Sequence, residues 1–266
     1  MSHDQIKKAV QTGWDHMSGP YQSRARISLE DIHYGPLIPG EREYRLLGDV
    51  AGMDALELAC GAAQNAVVLA KWGARSVVAM DISPGQVSFA RDLCKRERVS
   101  VHLLRGDMEK LSMFRDSQFD IVLSANGWEY LPDLPGCLRE CSRVLRPGGR
   151  LVVSTVHPLG AFEWDEEEGA LFVTDYFNPP VEVWEEYPEE GGHRGLTFFH
   201  TIDEMFVSLA AAGFAVERII EPYPVDREAK GASHREAPYT GDMWDKEYDR
   251  FCRVPFNIIY SARKAG

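Results

Sequence analysis

Three carboxylates stand where strands give way to turns. They are Glu57 in Glu57-Leu58-Ala59-Cys60-Gly61-Ala62-Ala63-Gln64, Asp81 in Asp81-Ile82-Ser83, and Asp107 in Arg105-Gly106-Asp107-Met108. An acid followed by a run of small residues and then a helix lets backbone N–H groups approach a ligand closely. An acid at the end of a second strand suits a ribose diol, because both hydroxyls can donate to one carboxylate. An acid at a third strand end can accept from an exocyclic amine. Each motif is weak alone, and acids are common in strand-ending loops. The three in succession point to a nucleoside-bearing ligand. The dinucleotide pattern G-x-G-x-x-G is not met, since the first turn holds a single glycine.

The elements that must carry these residues alternate. Strands are expected at Asp54–Ala59, Ser76–Met80, Val99–Leu104, Phe119–Leu123 and Arg150–Thr155, with helices at Gln64–Trp72, Pro84–Arg96 and Pro135–Leu145. Gly73 closes the first of these helices and Pro84 opens the second. This β-α-β-α order implies a mostly parallel sheet with helices on both faces. Upstream, Asp4–Met17 reads as a helix, Ser18–Gly40 as a turn-rich stretch and Glu41–Val50 as a short helix. Val156–His200 contains no clear helix–strand unit, a length that is usually functional. A helix at Ile202–Ala212 and strands at Phe214–Ile220 and Phe256–Ala262 complete the chain. The expected organisation is a single domain over 1–266. Residues 1–40 are an N-terminal cover, 156–200 an acidic, aromatic lid insertion, and 221–253 a second insertion.

In this order and spacing, Glu57–Gln64, Asp81–Ser83, Gly106–Met108, Phe119–Ser124 and Leu145-Arg146-Pro147-Gly148-Gly149 resemble the successive motifs of class I S-adenosylmethionine (SAM)-dependent methyltransferases. The Leu145–Gly149 turn is the most specific of them. The chain also looks similar to a bacterial small-molecule subgroup. The resemblance implies a Rossmann-like α/β fold with seven strands in the order 3-2-1-4-5-7-6, the last antiparallel. It implies SAM as cofactor and a small-molecule acceptor. It also implies roles: Gly61 beside the methionyl part, Glu57 organising the amino group through the turn, and Asp81 on the ribose. Ile82 and Met108 would flank the adenine, Asp107 would accept from its amine, and Ser124 would face the methionine. The family pattern E/D-x-G-x-G-x-G is here Glu57-x-Ala59-x-Gly61-x-Ala63. Alanine fits there if φ stays negative.

Methyl transfer from a sulfonium needs mainly alignment and exclusion of water, with a base only for a protonated nucleophile. His157, just after the fifth strand, is the first candidate base, followed by His200 and Tyr21. Each has a structural alternative: a turn-pinning histidine, a histidine before a helix cap, or a packed lid tyrosine. The His33-Tyr34-Gly35 segment, Trp128 and Tyr130 are further candidates for the cover and for an aromatic wall. The acidic stretch adds Phe162, Trp164, Phe172, Tyr176, Phe177, Trp184 and Tyr187, which suit a cationic or aromatic substrate or simply pack.

The formal charge is −12, and eleven acids with no Lys or Arg fall between Leu151 and His193. No basic face suggests a phosphate backbone, which argues against nucleic acid as a partner. Five cysteines without a C-x-x-C pair support neither a disulfide framework nor a zinc site. No apolar run is long enough to span a membrane, and the sequence reads as cytoplasmic. Other readings are an RNA- or protein-modifying methyltransferase of the same fold, a SAM-binding protein without methyl transfer, and an NAD-dependent oxidoreductase. Oligomeric state is not legible.

Overall fold

The structure, a computed structural model, describes residues 2–186, 193–228 and 236–266. Its elements begin with helix α1 (His3–Arg24), strand β1 (Arg26–Ile27) and helix α2 (Glu41–Tyr44). An alternating core follows: β2 (Asp54–Leu58), α3 (Gln64–Lys71), β3 (Ser76–Asp81), α4 (Pro84–Glu97), β4 (His102–Arg105), β5 (Phe119–Ala125), α5 (Leu134–Val144) and β6 (Leu145–Val156). After it come β7 (Glu163–Asp165), β8 (Ala170–Phe172), β9 (Glu182–Glu186), β10 (His193–Thr197), α6 (Ile202–Ala211) and β11 (Phe214–Ile220). The chain closes with β12 (Tyr239–Thr240), α7 (Asp242–Asp245), α8 (Tyr248–Phe251) and β13 (Asn257–Lys264).

The central sheet has seven strands in the order β11-β13-β6-β5-β2-β3-β4. Strands β2 to β6 are parallel, and β13 runs antiparallel to both β6 and β11. This is the order and the single reversed strand implied by the resemblance. Both faces are covered, which is why β3 (Ser-Val-Val-Ala-Met-Asp) is buried along nearly its whole length. Alternate residues feed opposite cores. Leu56, Leu58, Val78, Met80 and Val122 pack with Leu138, Cys141 and Leu209 on one face. Ala55, Val77, Ala79, Ile121 and Leu123 pack with Val68, Leu69, Ile32 and Tyr34 on the other. Four of the five cysteines are buried and all are free. The register pairs Leu58 with Met80 and Asp81 with Arg105, so the carboxyl ends of β2, β3 and β4 share one edge.

Helix α1 runs past the expected end at Met17, through Pro20, to Arg24. Proline removes one internal donor, and tertiary contacts outweigh that loss. Asp15 accepts from Gly85 N–H (2.7 Å) and from the Ser83 hydroxyl (3.0 Å), so α1 caps the N-terminus of α4. Gln22 bridges Gln86 and Gln64. Helix α2 is shorter than expected. Arg45 turns left-handed (φ 53°), and the backbone N–H groups of Leu46 and Leu47 fold back onto the buried Glu41 carboxylate.

Residues 156–200 are not featureless. They hold two antiparallel strand pairs, β7–β8 and β9–β10, outside the main sheet. Strands this short and acidic give little hydrophobic alternation to read. Part of this segment, including Tyr187, and part of 221–253 lie outside the described residues. Leu145–Gly149 opens β6 instead of preceding it. The ladder to β5 jumps from Leu145 to Arg150, which loops out the Pro-Gly-Gly residues between.

Candidate active site

A cleft opens above the carboxyl ends of β2 to β5. Its floor is the loop after β2. Gly61 has φ 53°, and so do its alanine neighbours in kind: Ala59 is at φ 51° and Ala63 at φ 63°. The condition of negative φ is therefore not met at either alanine. These positions keep the left-handed backbone that glycine favours, at a cost of roughly 1–2 kcal/mol each. The turn leads directly into α3, with the left-handed Ala63 as its N-cap. Glu57 Oε2 accepts from Ala66 N–H at 2.9 Å, which ties strand to helix. Burial, with the Asp81 charge adding, pushes Glu57 up to about 8.

Asp81 ends β3. Its Oδ2 accepts from Gly61 N–H (2.8 Å) and its Oδ1 from Ser83 N–H (2.9 Å). Burial raises it to about 6 despite those donors. Asp107 lies past β4, where Oδ1 accepts from Glu109 N–H (3.0 Å) and Oδ2 from Lys7 Nζ (2.6 Å). Lys7 also pairs with Glu109. Burial lowers the Lys7 pKa, but bonding to the two acids outweighs it and leaves it raised.

The cover is aromatic and comes from α1 and the segments around it. Trp14 stands edge-on to Tyr21 (5.4 Å) and to Tyr130 (5.6 Å). The Tyr21 hydroxyl pairs with that of Tyr239, and burial pushes Tyr21 up to about 12. His33 sits beside Tyr239 (5.1 Å) with its backbone clamped by the Asn65 amide. Tyr239 is held in turn by the β1–β12 pairing and by Leu37 N–H on its carbonyl.

Of the residues expected to form the site, Glu57, Gly61, Asp81, Ile82, Asp107, Met108 and Tyr21 all line this cleft. Ser124, His157 and His200 do not. Ser124 is buried and donates to Leu58 C=O (2.9 Å), so it ties β5 to β2, and Ala125, Asn126 and Gly127 line the cleft instead. His157 is buried with both ring nitrogens engaged, Nδ1 by Leu159 N–H (3.1 Å) and Nε2 by Glu221 (2.9 Å). His200 sits before the α6 cap, Thr201, where burial lowers its pKa. Tyr130 lines the cleft while Trp128 is core. The described residues of 156–200 contribute no lining; the walls come from 7–33, 57–86 and 106–132. Lys7 and Trp14 were missed. No local spacing links Lys7 to Asp107, and only the helix packing brings them together.

The sheet order and the single antiparallel strand define a Rossmann-like α/β fold with acids on adjoining strand tips. Residues 56–153 match the family described as "Methyltransferase domain". The chain is 28 % identical over 181 residues to the uncharacterized methyltransferase YbaJ of Bacillus subtilis, covering 65 % of this chain and 69 % of that one. It is 36 % identical over 126 residues to a demethylmenaquinone methyltransferase of Tropheryma whipplei, covering 47 % of this chain and 48 %, about half, of that relative. A SAM-dependent methyltransferase of Mesorhizobium loti superposes with a TM-score of 0.66 at 21 % identity, over 83 % of this chain and 95 % of the other. Over residues 56–153 the chain matches a methyltransferase domain, and as a whole it is similar to SAM-dependent methyltransferases, which use S-adenosyl-L-methionine as methyl donor.

The cleft suits that cofactor on its own chemistry. Glu57, Asp81, Asp107 and Glu109 line it against one cation among the described lining residues, Lys7. That balance favours a cationic ligand. Among the described residues no helix is long and apolar enough to cross a membrane, and no cluster of His, Cys, Asp and Glu could hold a metal ion.

Proposed function

We propose that the protein transfers a methyl group from SAM to a nucleophilic N, O or C of a small-molecule acceptor and releases S-adenosylhomocysteine. The observation that carries this reading is the acidic cleft roofed by Trp14, Tyr21 and Tyr130. A relative named for demethylmenaquinone supports a small-molecule acceptor.

When bound, SAM supplies an electrophilic methyl on a positively charged sulfur. Asp81 retains free lone pairs on both oxygens and holds the ribose hydroxyls. Ile82 and Met108 flank the adenine, and Asp107 accepts from its amine. The Ala59–Ala63 turn and the start of α3 hold the methionyl end, with Glu57 organising that turn. The α1 aromatics exclude water and leave the acceptor in line with the methyl.

The test uses SAM labelled in its methyl group, with separate small-molecule, RNA and protein fractions of a bacterial extract as acceptors. Label in the small-molecule fraction is expected. Label confined to RNA or protein would replace this reading with the macromolecule-modifying one. Binding of SAM with no transfer to any fraction would favour a SAM-binding protein without methyl transfer.

A further inference from the structure

Among the described residues that line the cleft, one buried side-chain nitrogen or oxygen has no hydrogen-bond partner: Nδ1 of His33. Buried polar atoms are almost always satisfied, so an orphan on a cavity wall marks the place of a ligand group. The Tyr21 and Tyr239 hydroxyls of the cover are bonded to each other.

His33 is held for such a task. It is 8 % exposed. The Asn65 side chain accepts from its N–H (3.0 Å) and donates to its C=O (3.1 Å). Asn65 lies in the first turn of α3, directly after the Gly61 loop. The backbone of His33 is thereby tied to the start of α3, and its imidazole lines the cleft. Its ring stands edge-on to Tyr239, and Trp14, Tyr21 and Tyr130 form the adjoining wall.

The geometry points to His33 Nδ1 as the hydrogen-bond acceptor for the O–H or N–H of an uncharged, ring-bearing methyl acceptor. This rests on the methyl-transfer reading above. Rings are favoured by the three aromatic walls, which offer edges and faces to a flat partner. Among the described lining residues the one cation, Lys7, is already bound to Asp107 and Glu109, so the wall itself offers an anionic acceptor no counter-charge. Burial pushes the imidazole down to about 4, so it is neutral near pH 7 and Nδ1 can carry a free lone pair. For a hydroxyl acceptor, the oxygen lone pair forms the new O–C bond and the broken S–C pair stays on sulfur. The hydroxyl proton passes to Nδ1, and the imidazolium then gives it to water.

The test measures binding to protein saturated with S-adenosylhomocysteine, by calorimetry at pH 7. The probes are 2-naphthol, its methyl ether, and 2-naphthoate. The expected result is naphthol binding at least ~10-fold tighter than the ether, the size of one lost hydrogen bond, and tighter than the anion. His33→Phe, which keeps a ring, should bring the naphthol-to-ether ratio close to one and leave S-adenosylhomocysteine affinity unchanged. Equal binding of naphthol and ether to the wild type, no binding of naphthol, or a ratio that survives His33→Phe would overturn the inference. Failure of S-adenosylhomocysteine itself to bind would instead strike the methyl-transfer reading.

Discussion

The methyl group of Ala59 fills the space in front of Gly127: a Cβ on Gly127 would lie 2.3 Å from the Ala59 Cβ. The two residues sit at the tips of adjacent strands, β2 and β5, and both line the cleft. Family resemblance puts glycine at position 59, and the alanine here keeps the left-handed backbone while demanding a glycine opposite. Gly127→Ala should destabilise the protein by about 1–3 kcal/mol through overpacking. Ala59→Gly alone should change stability by less than about 1 kcal/mol, because relief of the αL cost is offset by added chain entropy. The double variant should recover most of the Gly127→Ala loss in urea denaturation. Strict additivity of the two effects would show that the contact is not what excludes a side chain at 127.

Lys7 ties the first turns of α1 to Asp107 and Glu109. The three side chains are 13 %, 21 % and 5 % exposed, so water screens the pair poorly. Lys7→Met should weaken SAM binding by about 10-fold, a loss of one charge-assisted contact that holds the cover down. It should also make Trp14 more accessible to a fluorescence quencher. Unchanged quenching and affinity would mean that α1 closes over the cleft without this clasp.

Glu57 is raised to about 8 and Asp81 to about 6, both by burial. A raised acid takes up a proton on folding, so its contribution to stability is full below its unfolded pKa and is lost as pH rises through the folded one. The ligand-free protein should therefore lose stability between about pH 4 and 8, by an amount on the order of 5–8 kcal/mol. Glu57→Gln should flatten the upper part of that slope. SAM, being cationic, favours the ionised carboxylates, so its affinity should rise from pH 5.5 to 8 and binding should release protons. Calorimetry in buffers of different ionisation enthalpy measures that release. Proton uptake, or affinity that falls over this range, would contradict the charge assignment.

His157 has both ring nitrogens occupied and is outside the cleft. His157→Asn should keep SAM affinity and methyl transfer within about two-fold. The cost should appear in stability, about 1 kcal/mol for a lost turn-capping bond. A large fall in turnover at unchanged stability would return His157 to the reaction.

These outcomes separate what was legible in the sequence from what was not. Strand tips were legible because valine-rich segments end on acids and small residues, and local pattern suffices to place Asp81 and Asp107 on one edge. Helix α1 was cut short at Gly19-Pro20 because its continuation rests on Asp15 capping a helix 70 residues away. The proline's local cost was readable and that tertiary gain was not. His157 looked well placed because the end of a fifth strand borders the ligand edge, yet Phe256 C=O and Glu221 draw it to the β13 side. The 156–200 stretch drew attention by length and aromatics, whereas the cleft is roofed by Trp14 and Tyr21 from a helix whose composition gave no sign of it.

The central claim is that the acids at the strand tips hold SAM, with Asp81 on its ribose. Titration of S-adenosylhomocysteine and of NAD into the wild type and Asp81→Ala tests it most directly. The account expects S-adenosylhomocysteine to bind at roughly micromolar concentration, NAD far more weakly, and Asp81→Ala to lose roughly 1.5–3 kcal/mol, the value of hydrogen bonds to a charged acceptor. Tighter binding of NAD, or an Asp81→Ala protein that binds S-adenosylhomocysteine as well as the wild type does, would contradict it.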